Sequence, residues 1–275
     1  MKGVILAGGL GTRLDPLTKA TNKHLLPIYD KPMIYYPIET LVQANITEVM
    51  VIVSGPHSGD FISILKNGDE FGLDSLQYGY QYKPDGGIAD ALSIARNFAD
   101  GDDICVILGD NTTDSDISSG IEEFYNYDDV IEDNGVFRKT TLDEISRANE
   151  PLNIIPHAHI FTKEVKDPQR YGVAEFKDDK LINIIEKPSK PPSNKAVTGL
   201  YVYDHKVFDF IDQCEPGKRG ELEITDVNNF YLKEGILSHS TLEGYWQDAG
   251  TFDSLYLANK YYAEKGMNAV TSKES

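Results

Sequence analysis

The chain has 275 residues, 44 of them acidic against 26 basic, for a net charge of −18. That length can bury one sizeable core, while so negative a surface disfavours nonspecific binding to nucleic acid or to an anionic membrane. Cys105 and Cys214 offer neither a metal-ligand spacing nor a disulfide framework, and no run approaches the roughly eighteen apolar residues of a membrane span, so a cytoplasmic chain is expected.

The first element is the apolar run Gly3–Ala7, too short for a helix and read as a buried strand. The few residues ahead of its glycines leave no room for a secretory signal. Directly behind it comes Gly8-Gly9-Leu10-Gly11-Thr12-Arg13. Glycines there let backbone N–H groups approach an anion closely, which makes phosphate the first reading. The dinucleotide fingerprint fails, because it needs a glycine where Leu14 stands and an acidic residue at Val53-Ser54. The P-loop fails too, for want of a Gly-Lys pair and because Pro16 stops a helix from starting behind the glycines. What remains is a loop with its own cation, Arg13, and a second at Lys23, suited to a triphosphate; a tight turn with a surface arginine is the plainer alternative.

Helical patterns at Met33–Ala44, Asp60–Asn67 and Ile88–Phe98 then alternate with strand runs at Glu48–Ser54, Leu76–Tyr82 and Ile104–Leu108. The alternation predicts βαβ units in a parallel sheet, with Gly8–Arg13, Ser54–His57, Pro84–Gly87 and Gly109–Asn111 converging on the rim at the strands' carboxyl ends. Asp110 ends the last of these strands, where a carboxylate suits a divalent cation and suits a turn or helix cap equally well. The stretch from about 126 to 156 is acidic and without a clear period, and reads as a solvated excursion.

From Tyr171 the pattern changes to short strands, "RYGVAEFKDD", "KLINIIEK" and "AVTGLYVYD", which predict an antiparallel ribbon beside the parallel sheet. Lys187 ends one of them just before a proline, so its side chain is delivered to a fixed place; alone it reads equally as a surface lysine. Glu186 beside it can accept hydrogen bonds from hydroxyls. Arg219 and Glu221 flank a glycine ahead of a helix, where Glu221 also fits simple charge complementarity at the helix start. Helices are predicted at Lys206–Gln213, Glu223–Lys233 and Phe252–Glu264, with a frayed tail after Gly266. Between them Asp248, in "GYWQDAGT", supplies a second carboxylate that with Asp110 would hold Mg²⁺ between phosphates, although spacing alone does not show that the two meet.

Taken in order, "LAGGLGTRLDPLT", "NKHLLPIYDKPMIYYPI", "QYKPDGGIADAL", "ILGDN", "DPQRYGVAEF", "EKPSKPPSNKAVTGLYVYD", "RGELEITDVNNFYL" and "WQDAGT" make the chain resemble the sugar-1-phosphate nucleotidyltransferases, in particular the short form of those that join thymidylate to glucose 1-phosphate. The resemblance implies an α/β fold with a Rossmann-like, mostly parallel sheet flanked by helices and a small antiparallel lobe at the sugar site. It implies one nucleotidyltransferase domain over 1–266, an atypical acidic insertion at about 126–156 and a flexible tail at 267–275. By the same resemblance Leu6, Gly8, Gly9, Gly11, Thr12 and Arg13 hold the nucleotide and Lys23 neutralises charge near the reacting phosphorus. Gln81, Pro84 and Gly86 match the positions around the pyrimidine. Asp110 and Asp248 match the Mg²⁺ ligands, Asp110 lying against the nucleotide as well. Tyr171, Gly172, Glu186, Val197, Glu221 and Trp246 match the sugar pocket, and Lys187 the lysine on the sugar phosphate.

The reaction so implied joins dTTP and glucose 1-phosphate into dTDP-glucose and pyrophosphate for deoxysugar synthesis, in a homotetramer or homodimer. It needs no covalent nucleophile or general base, because the sugar phosphate already carries an anionic oxygen; it needs alignment and relief of charge repulsion. Three departures from the family pattern bear on substrate choice: His24 and Asp90 where glutamine is usual, and Thr112-Thr113 where an apolar-aromatic pair follows "LGDN". The alternatives are UTP or another hexose 1-phosphate, since one pyrimidine methyl is worth only about 1 to 3 kcal/mol, or a nucleotide-sugar binding subunit without catalysis. For the acidic stretch a lid and an assembly contact both stay open. The C-terminal helical extension of the long family form is missing, which argues against the regulatory site it helps to build.

Overall fold

The computed structural model describes residues 1–126, 130–133, 136–139, 157–217 and 219–271. Its centre is a nine-stranded sheet in which β12 (Lys180–Glu186), β11 (Gly172–Lys177), β13 (Lys195–Tyr203), β6 (Ile104–Leu108), β1 (Lys2–Ala7), β4 (Glu48–Val53) and β5 (Ser75–Tyr80) lie side by side in that order. β10 (Ala158–Glu164) also pairs with β13, and β14 (Leu237–Thr241) with β10. The β6-β1-β4-β5 half is parallel throughout.

The alternation of side chains along β1 explains why helices cover both faces. Val4 and Leu6 point into a core shared with Leu92, Phe98, Phe208 and Tyr231, whereas Ile5 and Ala7 point into a second one with Ile38, Leu41, Phe61 and Phe124. Helices Tyr35–Gln43 and Ser58–Leu65 supply the second core, and helices Ile88–Ser93, Val207–Ile211 and Ile224–Lys233 the first.

Three readings change. The antiparallel ribbon is not a separate layer beside the sheet but its continuation, since β13 pairs antiparallel with β6 from Leu200↔Ile107 to Tyr203↔Ile104. The expected helix Ile88–Phe98 breaks into Ile88–Ser93 and Arg96–Ala99. There Ile94 and Ala95 bond back only three residues, and the Ser93 hydroxyl donates to the Asp90 carbonyl, drawing the turn tight. The last helix runs from Phe252 to Thr271, past the frayed end expected after Gly266, and residues 272–275 lie outside the described residues. Gly266 does not stop it; a Cβ there would sit 2.7 Å from the Tyr29 ring, so this glycine clears room for a neighbour.

Most of the acidic stretch at 126–156 lies outside the described residues. Inside it β8 (Val130–Asp133) and β9 (Val136–Lys139) pair antiparallel, with Asn-Gly between them in sequence, a hairpin signal that the charge pattern hid. Among the described residues no helix is long and apolar enough to cross a membrane.

His159, fully buried in β10, lies between the Ser238 and Ser240 hydroxyls at 2.8 Å on each ring nitrogen. Burial first, then the neighbouring His239 and His157, pull its pKa down to about 4, and Glu123 at 3.8 Å from Nδ1 does not reverse this. The folded value therefore lies below the unfolded one, so the unfolded chain takes up a proton first as pH falls. Stability is accordingly expected to drop between pH 6.5 and 4, and a His159→Gln variant to show a flatter melting curve against pH over that window. Equal pH dependence of the two would overturn the assignment.

Candidate active site

Nine segments meet around one cavity of about 490 Å³ at the carboxyl ends of β1, β5 and β6. The loop behind β1 turns through left-handed backbone at Gly9 (φ 92°) and Gly11 (φ 63°). A side chain on Gly8 would come within 2.6 Å of Gln81 Oε1, and one on Gly11 within 2.9 Å of Thr18 and 3.0 Å of Lys23. The glycines thus let this loop lie flat against the Gln81 and Lys23 side chains.

Leu6, Gly8, Gly9, Arg13, Lys23, Gln81, Pro84 and Asp110 all line the cavity on the side of this loop. Tyr171, Gly172, Glu186, Lys187, Val197, Glu221, Trp246 and Asp248 line the rest. Gly11, Thr12 and Gly86 stand behind the wall; Thr12 opens the short helical turn that carries Arg13 inward, and the Gly86 N–H is used in a turn onto the Lys83 carbonyl at 2.9 Å. Of the Ser54–His57 segment, Ser54 packs behind Gly8 and none of its residues reaches the cavity.

The two carboxylates do meet. β7 (Asn111–Thr113), one residue past Asp110, pairs antiparallel with β15 (Trp246–Asp248), setting Asp248 opposite Asn111. A Cβ on Gly250 would lie 2.8 Å from Asp248 Oδ1, 2.9 Å from Arg13 Nη2 and 3.3 Å from Asp110 Oδ2, so the three groups converge on a gap kept open by the glycine.

Lys23 Nζ bonds Asp110 Oδ2 at 2.6 Å with both side chains nearly buried. Burial pushes the Asp110 carboxyl upward, but Lys23 and the other groups around it outweigh that and hold it below the usual carboxylate range. Asp248 goes the other way, raised by burial and then by the Asp110 charge. His24, bonded through Nδ1 to Asn22 Oδ1 at 2.8 Å, is lowered to about 3 by burial and by Lys23, and is neutral.

Among the described residues no group of three or more carboxylates, histidines or cysteines is placed to hold a metal ion. Asp110 and Asp248 are two hard oxygen donors in the wall of this cavity. That set fits a cation which keeps water and takes its remaining ligands from phosphate oxygens.

On the other side, Lys187 has left-handed backbone (φ 42°) and donates its N–H to the Tyr171 carbonyl at 2.9 Å, which turns its side chain out of the end of β12. Its ammonium lies 3.4 Å from Glu186 Oε1, while Glu186 Oε2 accepts from the Thr225 hydroxyl at 2.7 Å.

Among the lining residues that the sequence reading did not assign to the site, Asn111 and Arg170 make the contacts that shape it, as does Arg219, which was noted only as a neighbour of Glu221. Asn111 is its hub: its Oδ1 accepts from Trp246 Nε1 at 2.7 Å and from the Gly199 N–H at 3.1 Å, fixing the indole, which meets Tyr171 edge to face at 5.5 Å. Arg170 ion-pairs with Asp167 at 2.8 Å, while its buried Nη2 has no hydrogen-bond partner and lies 3.9 Å from Asp248. Arg219 touches Glu186, Glu221 and Glu223 at 3.4, 3.0 and 2.8 Å. Asn111 was signalled only by following Asp110, and the two arginines by standing beside motif residues.

Comparison with known proteins agrees with this geometry. A profile of the nucleotidyl transferase family matches residues 2–132 and 117–265. A glucose-1-phosphate thymidylyltransferase of Neisseria meningitidis is 40% identical over 264 residues, 95% of this chain and 82% of that protein. One from Xanthomonas campestris pv. campestris is 43% identical over 263 residues, 94% of this chain and 80% of that protein. A Bacillus anthracis crystal structure assigned as a glucose-1-phosphate thymidylyltransferase, with sucrose bound, superimposes with a TM-score of 0.81 at 45% identity, covering 95% of this chain and 94% of that one.

Proposed function

The chain belongs to the nucleotidyl transferase family, and from that premise we propose that it joins dTTP to α-D-glucose 1-phosphate, releasing pyrophosphate and forming dTDP-glucose. The observation that carries this reading is a single cavity with two halves, a glycine loop with Gln81 on one side and Glu186-Lys187 on the other, with Arg13, Lys23, Asp110 and Asp248 in the seam.

A phosphate oxygen of the sugar phosphate attacks the α-phosphorus of the nucleotide, and the bond to the pyrophosphate oxygen breaks with its electron pair leaving on that oxygen. Arg13 and Lys23 lie where negative charge gathers on the triphosphate, and Lys187 is delivered from the far side to the sugar phosphate. No residue has to remove a proton from the nucleophile. Tyr171, Gly172, Glu186, Val197, Glu221 and Trp246 form the sugar pocket, in which Thr225 holds one Glu186 oxygen and leaves the other to Lys187 and Arg219. Asp110 and Asp248 would hold Mg²⁺, which when bound supplies further neutralisation of phosphate charge.

The chain is read as one working domain in the cytoplasm, where Cys105 and Cys214 stay reduced, assembled as a homodimer or homotetramer. The test of function is pyrophosphate release with Mg²⁺, glucose 1-phosphate and each of dTTP, UTP, ATP, CTP and GTP. Turnover led by dTTP is expected. A lead for UTP would move the activity to uridylyl transfer, and silence with all five would point to another sugar phosphate or to a binding subunit.

A further inference from the structure

We propose that Asp90 is a positioning residue that locks the orientation of the Gln81 amide and thereby makes the base pocket select pyrimidines carrying an N3–H. This rests on the reading of Gln81 as the contact to the base.

Gln81 is buried, and its Nε2 donates to Asp90 Oδ2 at 2.8 Å and to the Gly87 carbonyl at 3.2 Å. Both partners can only accept, so the amide nitrogen must face them and Oε1 must face away. A carboxylate at position 90 offers the amide nitrogen an acceptor whichever way it is turned, and a neighbour without an oxygen there leaves only the longer bond to Gly87.

Oε1 then points toward Gly8, whose Cβ would lie only 2.6 Å from it, and no donor among the described residues bonds to it. The wall of the cavity therefore presents an acceptor between the glycine loop and Pro84. Thymine and uracil offer an N3–H to such an oxygen. Cytosine offers a lone pair at N3, which the oxygen repels.

The lock is built into the backbone around it. A Cβ on Gly86 would lie 2.3 Å from Asp90 Oδ2, so the carboxylate lies directly over a glycine that leaves it room. Leu222 N–H donates to the Gly86 carbonyl at 2.8 Å and its carbonyl accepts from Ala89 N–H at 3.2 Å, which holds both ends of the Gly86–Ala89 turn.

The experiment compares kcat/KM for dUTP and dCTP, which share a sugar and differ only in the pyrimidine edge, in wild type, Asp90→Ala and Asp90→Asn. Wild type is expected to favour dUTP. Asp90→Ala, which removes the shorter of the two acceptors, should lower the dUTP:dCTP ratio by about tenfold or more. Asp90→Asn retains an oxygen that can accept from Nε2, and should keep the ratio within about threefold of wild type. A wild type without preference defeats the base reading itself, before any variant is compared. A preference that Asp90→Ala leaves intact, or that Asp90→Asn loses as fully as Asp90→Ala does, overturns the lock alone. Should the alanine chain not fold, Asp90→Thr, one bond too short to reach the amide, takes its place with the same expected loss.

Discussion

Lys187→Ala is expected to lower kcat/KM for glucose 1-phosphate by about 10²- to 10³-fold, as loss of an electrostatic contact of roughly 3 to 4 kcal/mol to the reacting phosphate would, while leaving the melting temperature unchanged. The two halves of that result have separate causes. In the folded chain the ammonium is about half exposed and, among the described residues, is held by Glu186 alone at 3.4 Å, and a pair of that kind contributes about 1 kcal/mol or less. Its left-handed backbone and its N–H bond to Tyr171 belong to the main chain and survive truncation of the side chain. A side chain so lightly engaged, on a backbone so firmly set, serves something that arrives from outside. Steady-state kinetics against sugar phosphate, with a melting curve in parallel, decide it. Unchanged kinetics would remove Lys187 from the site, and a matching fall in melting temperature would make it a structural residue.

The seam carboxylates are expected to separate in the opposite way. Asp110→Asn should cost about 10³-fold or more in kcat and also lower the melting temperature, because Lys23 at 2.6 Å would be left as a nearly buried ammonium without its counter-charge. Asp248→Asn should cost a comparable factor in kcat and yet melt no lower than wild type in the presence of a chelator. Burial and the Asp110 charge both disfavour the ionised form of Asp248, so its negative charge is carried at the expense of the fold. Nucleotide-saturated turnover and chelator-treated melts on both variants give four numbers. If Asp110→Asn melts lower but turns over within about tenfold of wild type, Asp110 serves only to anchor Lys23.

The half of the sheet built from β6, β1, β4 and β5 was legible because the first three are apolar runs flanked by turn residues and β5 follows them in the same alternation with helices. The glycine loop was legible because the two best-known phosphate fingerprints fail on it residue by residue. What could not be read is anything set by pairing at long range. The register that seats Asp248 opposite Asn111 links residues more than a hundred positions apart, and nothing in "LGDN" or "WQDAGT" names the other. The same limit hid Arg170 and Arg219, whose acidic neighbours make them look like ordinary surface pairs. The continuity of β13 with β6 was missed because an apolar strand buried on both faces does not say in its sequence which sheet it joins. The break at Ser93 depends on one hydroxyl choosing a backbone carbonyl over solvent. The hairpin at β8 and β9 was the reverse case, a local signal present in the sequence and masked by surrounding charge.

The pairing of β7 with β15 also fixes when the chain becomes competent as it is made. A nascent polypeptide that has emerged as far as β7 already owns the glycine loop, Lys23, Gln81 and Asp110, enough to shape the glycine-loop half of the cavity. The second carboxylate and the Trp246 indole arrive only with residues 246–248. The helix that follows then fastens β7 in place, since Tyr261 and Lys265 both bond the Asp114 carboxylate at its end. A chain cut short anywhere before Trp246 would thus hold only half of this cavity's wall.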